Sequence, residues 1–178
     1  IRDLGYKAIP SGNDTALSIP MAVDAGLGEL GRHGLLIAPR FGPRVRISKV
    51  LTNLPLLPDK PIEIGVREMS AVCGKCAKVC PGQAISFDEP TTEGPTISNN
   101  HGIYKWYINP EKCFQFWVRN KGDCANCIRV CVFNKPDTRF HGFVRWHVKN
   151  LPRFDSFYLW MDDLLGYGKR MKMGEIWK

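Results

Sequence analysis

The sequence predicts an α+β protein in which all cysteines lie in one region of the chain. Apolar residues recur at helical spacing in several segments, and shorter segments alternate polar and apolar residues as half-buried strands do. The seven cysteines all fall between positions 73 and 131. With 178 residues and 44% hydrophobic content, the chain is long enough for one domain, or for a small domain and part of another.

The N-terminal sixty residues mix turn, helix and strand patterns. Residues 1–15 are expected to form a strand or turn region that ends in polar turn residues. Residues 15–25 favour a helix, with Pro20 in its first turn. Residues 44–51 alternate polar and apolar side chains and predict a strand.

A glycine-rich segment at 26–34 matches the dinucleotide-binding pattern Gly-x-Gly-x-x-Gly. That fingerprint must follow a strand and open a helix. Here a helix pattern precedes the segment and an apolar run follows it. We therefore expect a glycine-rich bend with close backbone approach, and NAD binding is the alternative.

The rest of the chain predicts short helices around the cysteines and longer ones in the tail. A proline-rich linker at 55–61 leads into this part, and a short strand is expected at 85–87. The predicted helices span residues 73–79, 111–119, 124–130, 138–149 and 153–165.

The cysteine spacing is typical of iron–sulfur proteins. The first run is Cys73-x2-Cys76-x3-Cys80-Pro81, and the second is Cys113 followed by Cys124-x2-Cys127-x3-Cys131. The bacterial two-cluster pattern is Cys-x2-Cys-x2-Cys-x3-Cys-Pro, in which the fourth cysteine binds the other cluster. Ser70 stands where the first cysteine of this pattern would be.

The pattern predicts two iron–sulfur clusters that share the two runs. One would be bound by Cys73, Cys76 and Cys131, with Ser70 at the missing position. The other would be bound by Cys80, Cys113, Cys124 and Cys127. Both would be [4Fe–4S], except that Ser70 could leave a [3Fe–4S] or serine-ligated cluster. Zinc sites and disulfides are the alternatives, but an odd cysteine count and a Cys-x3-Cys-Pro sequence favour neither.

The net charge of +8 limits the classes of partner. Nucleic acid, anionic lipid or an acidic protein would suit it, but the basic residues are scattered, so we expect a solvated surface. No apolar run is long enough to span a membrane. The four histidines lack metal-ligand spacing and are expected to be structural. Because the chain opens at Ile1, we expect a processed product or the C-terminal part of a longer protein.

Six stretches carry a pattern beyond the cysteine spacing. They are residues 26–37 (GLGELGRHGLLI), 41–46 (FGPRVR), 111–120 (EKCFQFWVRN), 123–131 (DCANCIRVC), 133–136 (FNKP) and 161–168 (MDDLLGYG). Together they resemble the C-terminal part of the corrinoid reductive dehalogenases over nearly the whole chain. Ser70 and Val132 depart from the family, which has a cysteine and usually a proline there.

The resemblance implies three regions and an electron path. Residues 1–60 would be part of a nitroreductase-like cobalamin domain, residues 61–137 a ferredoxin-like domain, and residues 138–178 a helical segment that packs back on the cobalamin domain. Electrons would pass through the two clusters to base-off cobalamin, and halide would leave an organohalide. The implied partners are a small membrane-anchor protein and an upstream electron donor, without nucleic acid. The implied location is the outer face of the cytoplasmic membrane.

The resemblance also implies site residues in the first half of the chain. Arg46 fits the basic residue near the halide, since an arginine stays charged and can stabilise a leaving anion. Asn13 fits the active-site asparagine, and Arg44 competes with Arg46. The implied cofactor contacts are Gly31, Leu36, Ile37 and Arg44. A solvated strand face is the alternative for both arginines, and turn chemistry is the alternative for Asn13.

Two other functions stay open from the sequence. Epoxyqueuosine reductases also combine cobalamin with two clusters but act on tRNA, which the positive charge would suit. A stand-alone two-cluster electron carrier would explain the cysteines but would leave residues 1–60 without a purpose. The stretches at 41–46 and 114–120 favour the dehalogenases.

Overall fold

The computed structural model describes residues 1–12 and 15–170 and has the predicted α+β fold. The strands are β1 (Ala8–Ser11), β2 (Glu29–Leu30), β3 (Leu36–Ile37) and β4 (Lys49–Thr52). The α-helices are α1 (Ser18–Asp24), α2 (Val66–Cys73), α3 (Lys75–Val79), α4 (Pro110–Asn120), α5 (Asn126–Val130), α6 (Arg139–Asn150) and α7 (Asp155–Leu164).

The first sheet is an antiparallel pair of β1 and β4. Its register runs from Ala8 opposite Thr52 to Ser11 opposite Lys49. The strand predicted at 44–51 is therefore wrong over residues 44–48, which belong to no strand. β1 has only four residues, so β4 has a pairing partner over four residues only. The alternating side chains that precede β4 do not lengthen the ladder.

The glycine-rich segment forms a hairpin of β2 and β3, as the predicted bend requires. Glu29 pairs with Ile37 and Leu30 with Leu36. Gly26 has φ +67, and a Cβ there would lie 2.5 Å from the Lys60 carbonyl oxygen. A hairpin is not the strand–turn–helix unit that a dinucleotide fingerprint needs.

Glu29 also caps the helix that leads into the cysteines. Its Oε2 accepts hydrogen bonds from the backbone N–H of Ile64 at 2.5 Å and of Val66 at 3.1 Å. A carboxylate at a helix N-terminus satisfies unpaired N–H groups and interacts favourably with the helix dipole. The hairpin thus fixes where α2 begins.

Two small apolar cores surround the cysteines. α3 and α5, the two helices of the cysteine runs, pack against each other. The first core consists of Ile37, Val66 and Cys131, with Ile64 and Phe133 against them. The second consists of Cys76, Ala77 and Ile85, with Cys80, Ile108 and Cys127 against them. Cys76, Cys80, Cys127 and Cys131 are therefore part of the hydrophobic interior.

The tail forms the two predicted helices, α6 and α7, joined by a 3-10 turn at Pro152–Phe154. The Thr138 side chain caps α6 by accepting a hydrogen bond from the N–H of His141, and α7 packs on α2. The strand predicted at 85–87 is wrong, since only an isolated bridge joins Ile85 and Ile108. Within residues 1–12 and 15–170, no helix combines the length and the apolar character needed to cross a membrane.

Candidate iron–sulfur site

One cavity, hereafter the Ser70 cavity, lies at the junction of α2, α3 and the end of α5. Its lining includes Ser70, Cys73, Cys76 and Cys131. Ser70 and Cys73 are three residues apart in α2, so both face the same side of the helix. Gly74 ends α2 with φ +57 and starts α3, and this sharp change of direction brings Cys76 to the same cavity.

A second cavity, hereafter the Cys113 cavity, lies between α4 and α5. Its lining includes Cys80, Cys113, Cys124 and Cys127. Cys80 follows Cys76 by one helical turn but faces this second cavity, and Cys131 of the other run faces the first. The structure therefore brings the eight predicted ligand positions together in the two groups that the ferredoxin pattern assigns.

Helix α4 delivers the isolated cysteine to its cavity. Asn109 is the N-cap and accepts a hydrogen bond from the backbone N–H of Lys112 at 2.9 Å, and the Asn109 N–H donates to the Ala84 carbonyl at 2.7 Å. A Cβ on Gly82 would lie 3.1 Å from the Lys112 carbonyl oxygen, so this glycine permits close approach. These contacts hold Cys113 in the first turn of α4, opposite Cys80.

Burial makes thiols in both groups, Cys76, Cys127 and Cys131 among them, hard to ionise without a compensating cation. Burial first, and then the neighbouring cysteines, raises the pKa of Cys76 to about 12. Burial also raises the pKa of Cys131 to about 12 and that of Cys127 to about 11. All seven thiols are free of disulfides. Metal coordination deprotonates a thiol outright, so buried, clustered thiols fit a site that is filled by iron.

The arrangement of the thiols fits clusters better than single ions. Within the described residues, no three His, Cys, Asp or Glu side chains converge on the position of one metal ion. The cysteines instead surround two cavities, as ligands of a multi-iron cluster must, because each thiolate binds a different iron. Several sulfurs also accept hydrogen bonds, among them Cys80 from the Ala84 N–H at 3.3 Å and Cys124 from the Asn126 side chain at 3.5 Å.

Arg32 is a buried cation at the Ser70 cavity that sequence reasoning missed. It is 6% exposed and lines this cavity. Its guanidinium donates to the carbonyl oxygens of Ser70 at 3.0 Å and of Ser86 at 2.9 Å, and it lies 4.6 Å from the centre of the Trp106 ring. These partners are uncharged, so a negatively charged cluster would supply the missing counter-charge. The only sequence signal that could have indicated this role was the position of Arg32 in the glycine-rich bend.

His33, the next residue, lines both cavities. It is 4% exposed, and burial lowers the pKa of its imidazole to about 4. The sequence predicted only a structural role, because a lone histidine has no ligand spacing. The structure places it in the walls of both cavities.

The residues assigned by resemblance in the first half of the chain have different environments. Arg44 and Arg46 are exposed, and Arg44 donates to the Lys135 carbonyl oxygen at 3.0 Å. Gly31, Leu36 and Ile37 are buried, and Ile37 packs against Cys131. Asn13 lies outside the described residues. The roles assigned to these residues stay predictions, as do the domain boundaries at 60 and 137.

Known proteins share both the cysteine region and the rest of the chain. Residues 71–135 match the family model of the 4Fe-4S dicluster domain. The chain is 45% identical over 177 residues to a tetrachloroethene reductive dehalogenase of Sulfurospirillum multivorans, covering 99% of this chain and 35% of that protein. It is 47% identical over 171 residues to one of Desulfitobacterium hafniense, covering 94% and 31%.

The chain belongs to the reductive dehalogenase family. It spans about a third of the length of these curated relatives. The similarity extends well beyond the cysteine region and includes residues 1–60, which a stand-alone electron carrier would not need.

Solved reductive dehalogenase structures share the fold. The catabolic reductive dehalogenase NpRdhA in complex with 3-bromo-4-hydroxybenzoic acid superposes with a TM-score of 0.83 at 32% identity, covering 95% of this chain and 24% of that one. A reductive dehalogenase whose structure suggests a mechanism for B12-dependent dehalogenation gives 0.80 at 33% identity, with the same coverage. The predicted α+β fold with a two-cluster ferredoxin-like unit is confirmed.

Epoxyqueuosine reductases are more distant. One from Bacillus cereus is 29% identical over 126 residues, covering 62% of this chain and 28% of that protein. An epoxyqueuosine reductase bound to a tRNA stem loop gives a TM-score of 0.53 at 22% identity, covering 85% and 38%. That likeness reflects a common fold. Identity and coverage therefore favour the reductive dehalogenases over this alternative.

Proposed function

We propose that this chain is the electron-delivering part of a reductive dehalogenase that removes halide from an organohalide. The observation that carries the proposal is the pair of cysteine-lined cavities, in a chain 45% identical to a tetrachloroethene reductive dehalogenase. Bound iron–sulfur clusters would supply one-electron carriers. The two cavities share His33 in their walls, so their contents would be close enough for electrons to pass between them.

The described residues would hold the two clusters in different ways. The Cys113 cavity offers four thiols, which suit a [4Fe–4S] cluster. The Ser70 cavity offers three thiols and a hydroxyl, which is a hard and poorly acidic donor for iron. We propose that the cluster in the Ser70 cavity either lacks its fourth iron or binds that iron through serinate or water.

Cobalamin is the second proposed cofactor, and it would supply the reducing metal at the carbon–halogen bond. The B12-dependent relative supports it. Leu36 and Ile37 are the proposed contacts, and Ile37 packs against Cys131 at the Ser70 cavity. This contact supports the Ser70 cavity as the site of the inner cluster, and the Cys113 cavity as the entry point for electrons.

Arg46 and Asn13 remain the proposed active-site residues, with Arg46 stabilising the leaving halide. A small membrane-anchor protein, an upstream electron donor and the outer face of the cytoplasmic membrane are proposed from the family resemblance. Fractionation of the native cells would test the location, and enzyme recovered only with cytoplasmic proteins would contradict it.

The function is tested with the enzyme that contains this segment, purified anaerobically with its cofactors. Reduced methyl viologen serves as the electron donor and tetrachloroethene as the organohalide. We expect chloride release, and about seven or eight irons within this segment, as two clusters require. Cys113→Ala should abolish turnover, whereas the exposed Lys121→Ala should not change it. Turnover of epoxyqueuosine-containing tRNA without chloride release from organohalides would overturn the proposal.

A further inference from the structure

His33 presents a buried nitrogen that has no partner within the described residues. The imidazole is 4% exposed, and its Nε2 makes no hydrogen bond in the described part of the chain. Nearly all buried polar groups in folded proteins find a partner. This nitrogen therefore indicates a partner that belongs to the cavities that the ring lines.

The other ring nitrogen determines what Nε2 can do. The backbone N–H of Leu35 donates to His33 Nδ1 at 3.2 Å. Since Nδ1 accepts, the ring is neutral and carries its proton on Nε2. Nε2 is therefore a hydrogen-bond donor and has no lone pair available for iron.

Close packing holds the ring in this orientation. A Cβ on Gly31 would lie 2.9 Å from His33 Cε1 and 2.7 Å from Ile37 Cδ1. A side chain at position 31 would force the imidazole or the Ile37 side chain to shift. Gly31, assigned to the cofactor by resemblance, thus has a direct structural role in placing His33.

Cysteines on both sides of His33 already accept hydrogen bonds from the protein. At the Cys113 cavity, backbone and side-chain groups donate to Cys80 and Cys124. At the Ser70 cavity, backbone groups donate to Cys73, Cys76 and Cys131, so a donor from His33 would add to an existing set. An N–H that points to cluster sulfur stabilises the more negative, reduced state and so raises the reduction potential.

We propose that His33 donates a hydrogen bond from Nε2 to a sulfur atom of a bound iron–sulfur cluster, and so raises the reduction potential of that cluster. His33 is a positioning and tuning residue in this role and does not bind iron. The inference rests on the proposed function only in requiring that the two cavities hold clusters.

Two substitutions test the role through potential. His33→Leu removes the donor, while His33→Gln keeps an N–H on a side chain of similar reach. We expect the midpoint potential of one cluster to fall in His33→Leu and to be at least partly restored in His33→Gln. His101→Leu, at an exposed histidine, is the matched control and should leave both potentials unchanged. Equal potentials in His33→Leu and the wild type would overturn the inference.

A spectroscopic measurement tests the hydrogen bond without any substitution. The protein is labelled with ¹⁵N-histidine and its reduced clusters are examined by pulsed electron paramagnetic resonance (EPR). We expect a weak ¹⁵N coupling, typical of a hydrogen bond to sulfur. The absence of coupling, or a strong coupling from nitrogen bound to iron, would overturn the inference. Iron and sulfide assays distinguish a failure of this inference from a failure of the proposed function. Wild-type protein that contains no iron and sulfide would contradict the proposed function itself.

Discussion

Lys75 and Asp162 form a buried ion pair that joins the cysteine region to the C-terminal helix. Lys75 Nζ lies 2.6 Å from Asp162 Oδ2, and the two side chains are 12% and 6% exposed. The other oxygen of Asp162 is 2.7 Å from Lys135 Nζ. Lys75 lies between Cys73 and Cys76, so one carboxylate of α7 fixes the backbone beside the Ser70 cavity.

Replacement of this carboxylate is expected to be strongly destabilising. Asp162→Asn removes the buried counter-charge of Lys135 and leaves Lys75 only the exposed Asp163, so the free energy of unfolding should fall by about 3–5 kcal/mol. Chemical denaturation of the iron-loaded protein under anaerobic conditions measures it. Asp163→Asn is the matched control, because Asp163 pairs with the same Lys75 but is 69% exposed, and it should cost about 0–1 kcal/mol. Equal losses in the two variants would contradict the bridging role of Asp162.

The exchange of cysteines between the two runs predicts a crossed pattern of cluster loss. Cys80→Ala should damage the cluster of the Cys113 cavity, and Cys131→Ala that of the Ser70 cavity, although each residue belongs to the other run in sequence. EPR spectra of the reduced protein, together with iron assays, distinguish the two clusters. If Cys80→Ala changed only the Ser70 cluster, the grouping would be wrong.

Ser70→Cys is expected to convert an irregular cluster into an ordinary one. The wild-type cluster should be [3Fe–4S], or [4Fe–4S] with one distinct iron, because a hydroxyl is a poor ligand for iron. With the cysteine present, its EPR signal should become that of [4Fe–4S] and its midpoint potential should shift. Two ordinary [4Fe–4S] signals with equal midpoint potentials in both proteins would show that another residue supplies the eighth ligand.

Arg46 is predicted to stabilise the leaving halide. In the complete enzyme, Arg46→Ala should lower turnover by about 10²–10³, the size expected when one donor to the transition state is lost. Cluster content should not change. Arg44→Ala is the natural comparison, since Arg44 is engaged with the Lys135 carbonyl oxygen. Wild-type turnover in Arg46→Ala, with a loss in Arg44→Ala, would transfer the role to Arg44.

The environment of Asp155 is expected to make the stability of the folded protein depend on pH. Burial, and then repulsion from Glu68, raises the pKa of the Asp155 carboxyl to about 6, and its Oδ1 has no hydrogen-bond partner within the described residues. A raised carboxyl pKa means that folding disfavours the ionised form, so stability falls as pH rises from the unfolded pKa through about 6. Asp155→Asn should therefore be more stable than wild type at pH 7.5 and nearly equal at pH 4. An equal difference at both pH values would contradict this.

The chemistry of the ligands could be predicted from the sequence because it is local. Cys73, Cys76 and Cys80 have the spacing of a cluster motif. The turn at Gly74 brings Cys73 and Cys76 to the same cavity within a few residues. The helices of the tail follow from side-chain periodicity in the same way, and the structure contains them as α6 and α7. The strand at 44–51 could not be predicted correctly, because its length depends on β1, some forty residues earlier.

The sequence by itself predicted that two groups of cysteines would bind iron–sulfur clusters, and it indicated the family to which the chain belongs. The tertiary structure alone decided what surrounds those cysteines. Arg32 reaches the Ser70 carbonyl across 38 residues of chain, and Glu29 caps a helix more than thirty residues later. His33 lies between cavities whose ligands span positions 70 to 131. These contacts join segments that are remote in the chain, and they depend on which surfaces pack together, so no local spacing or periodicity contains them.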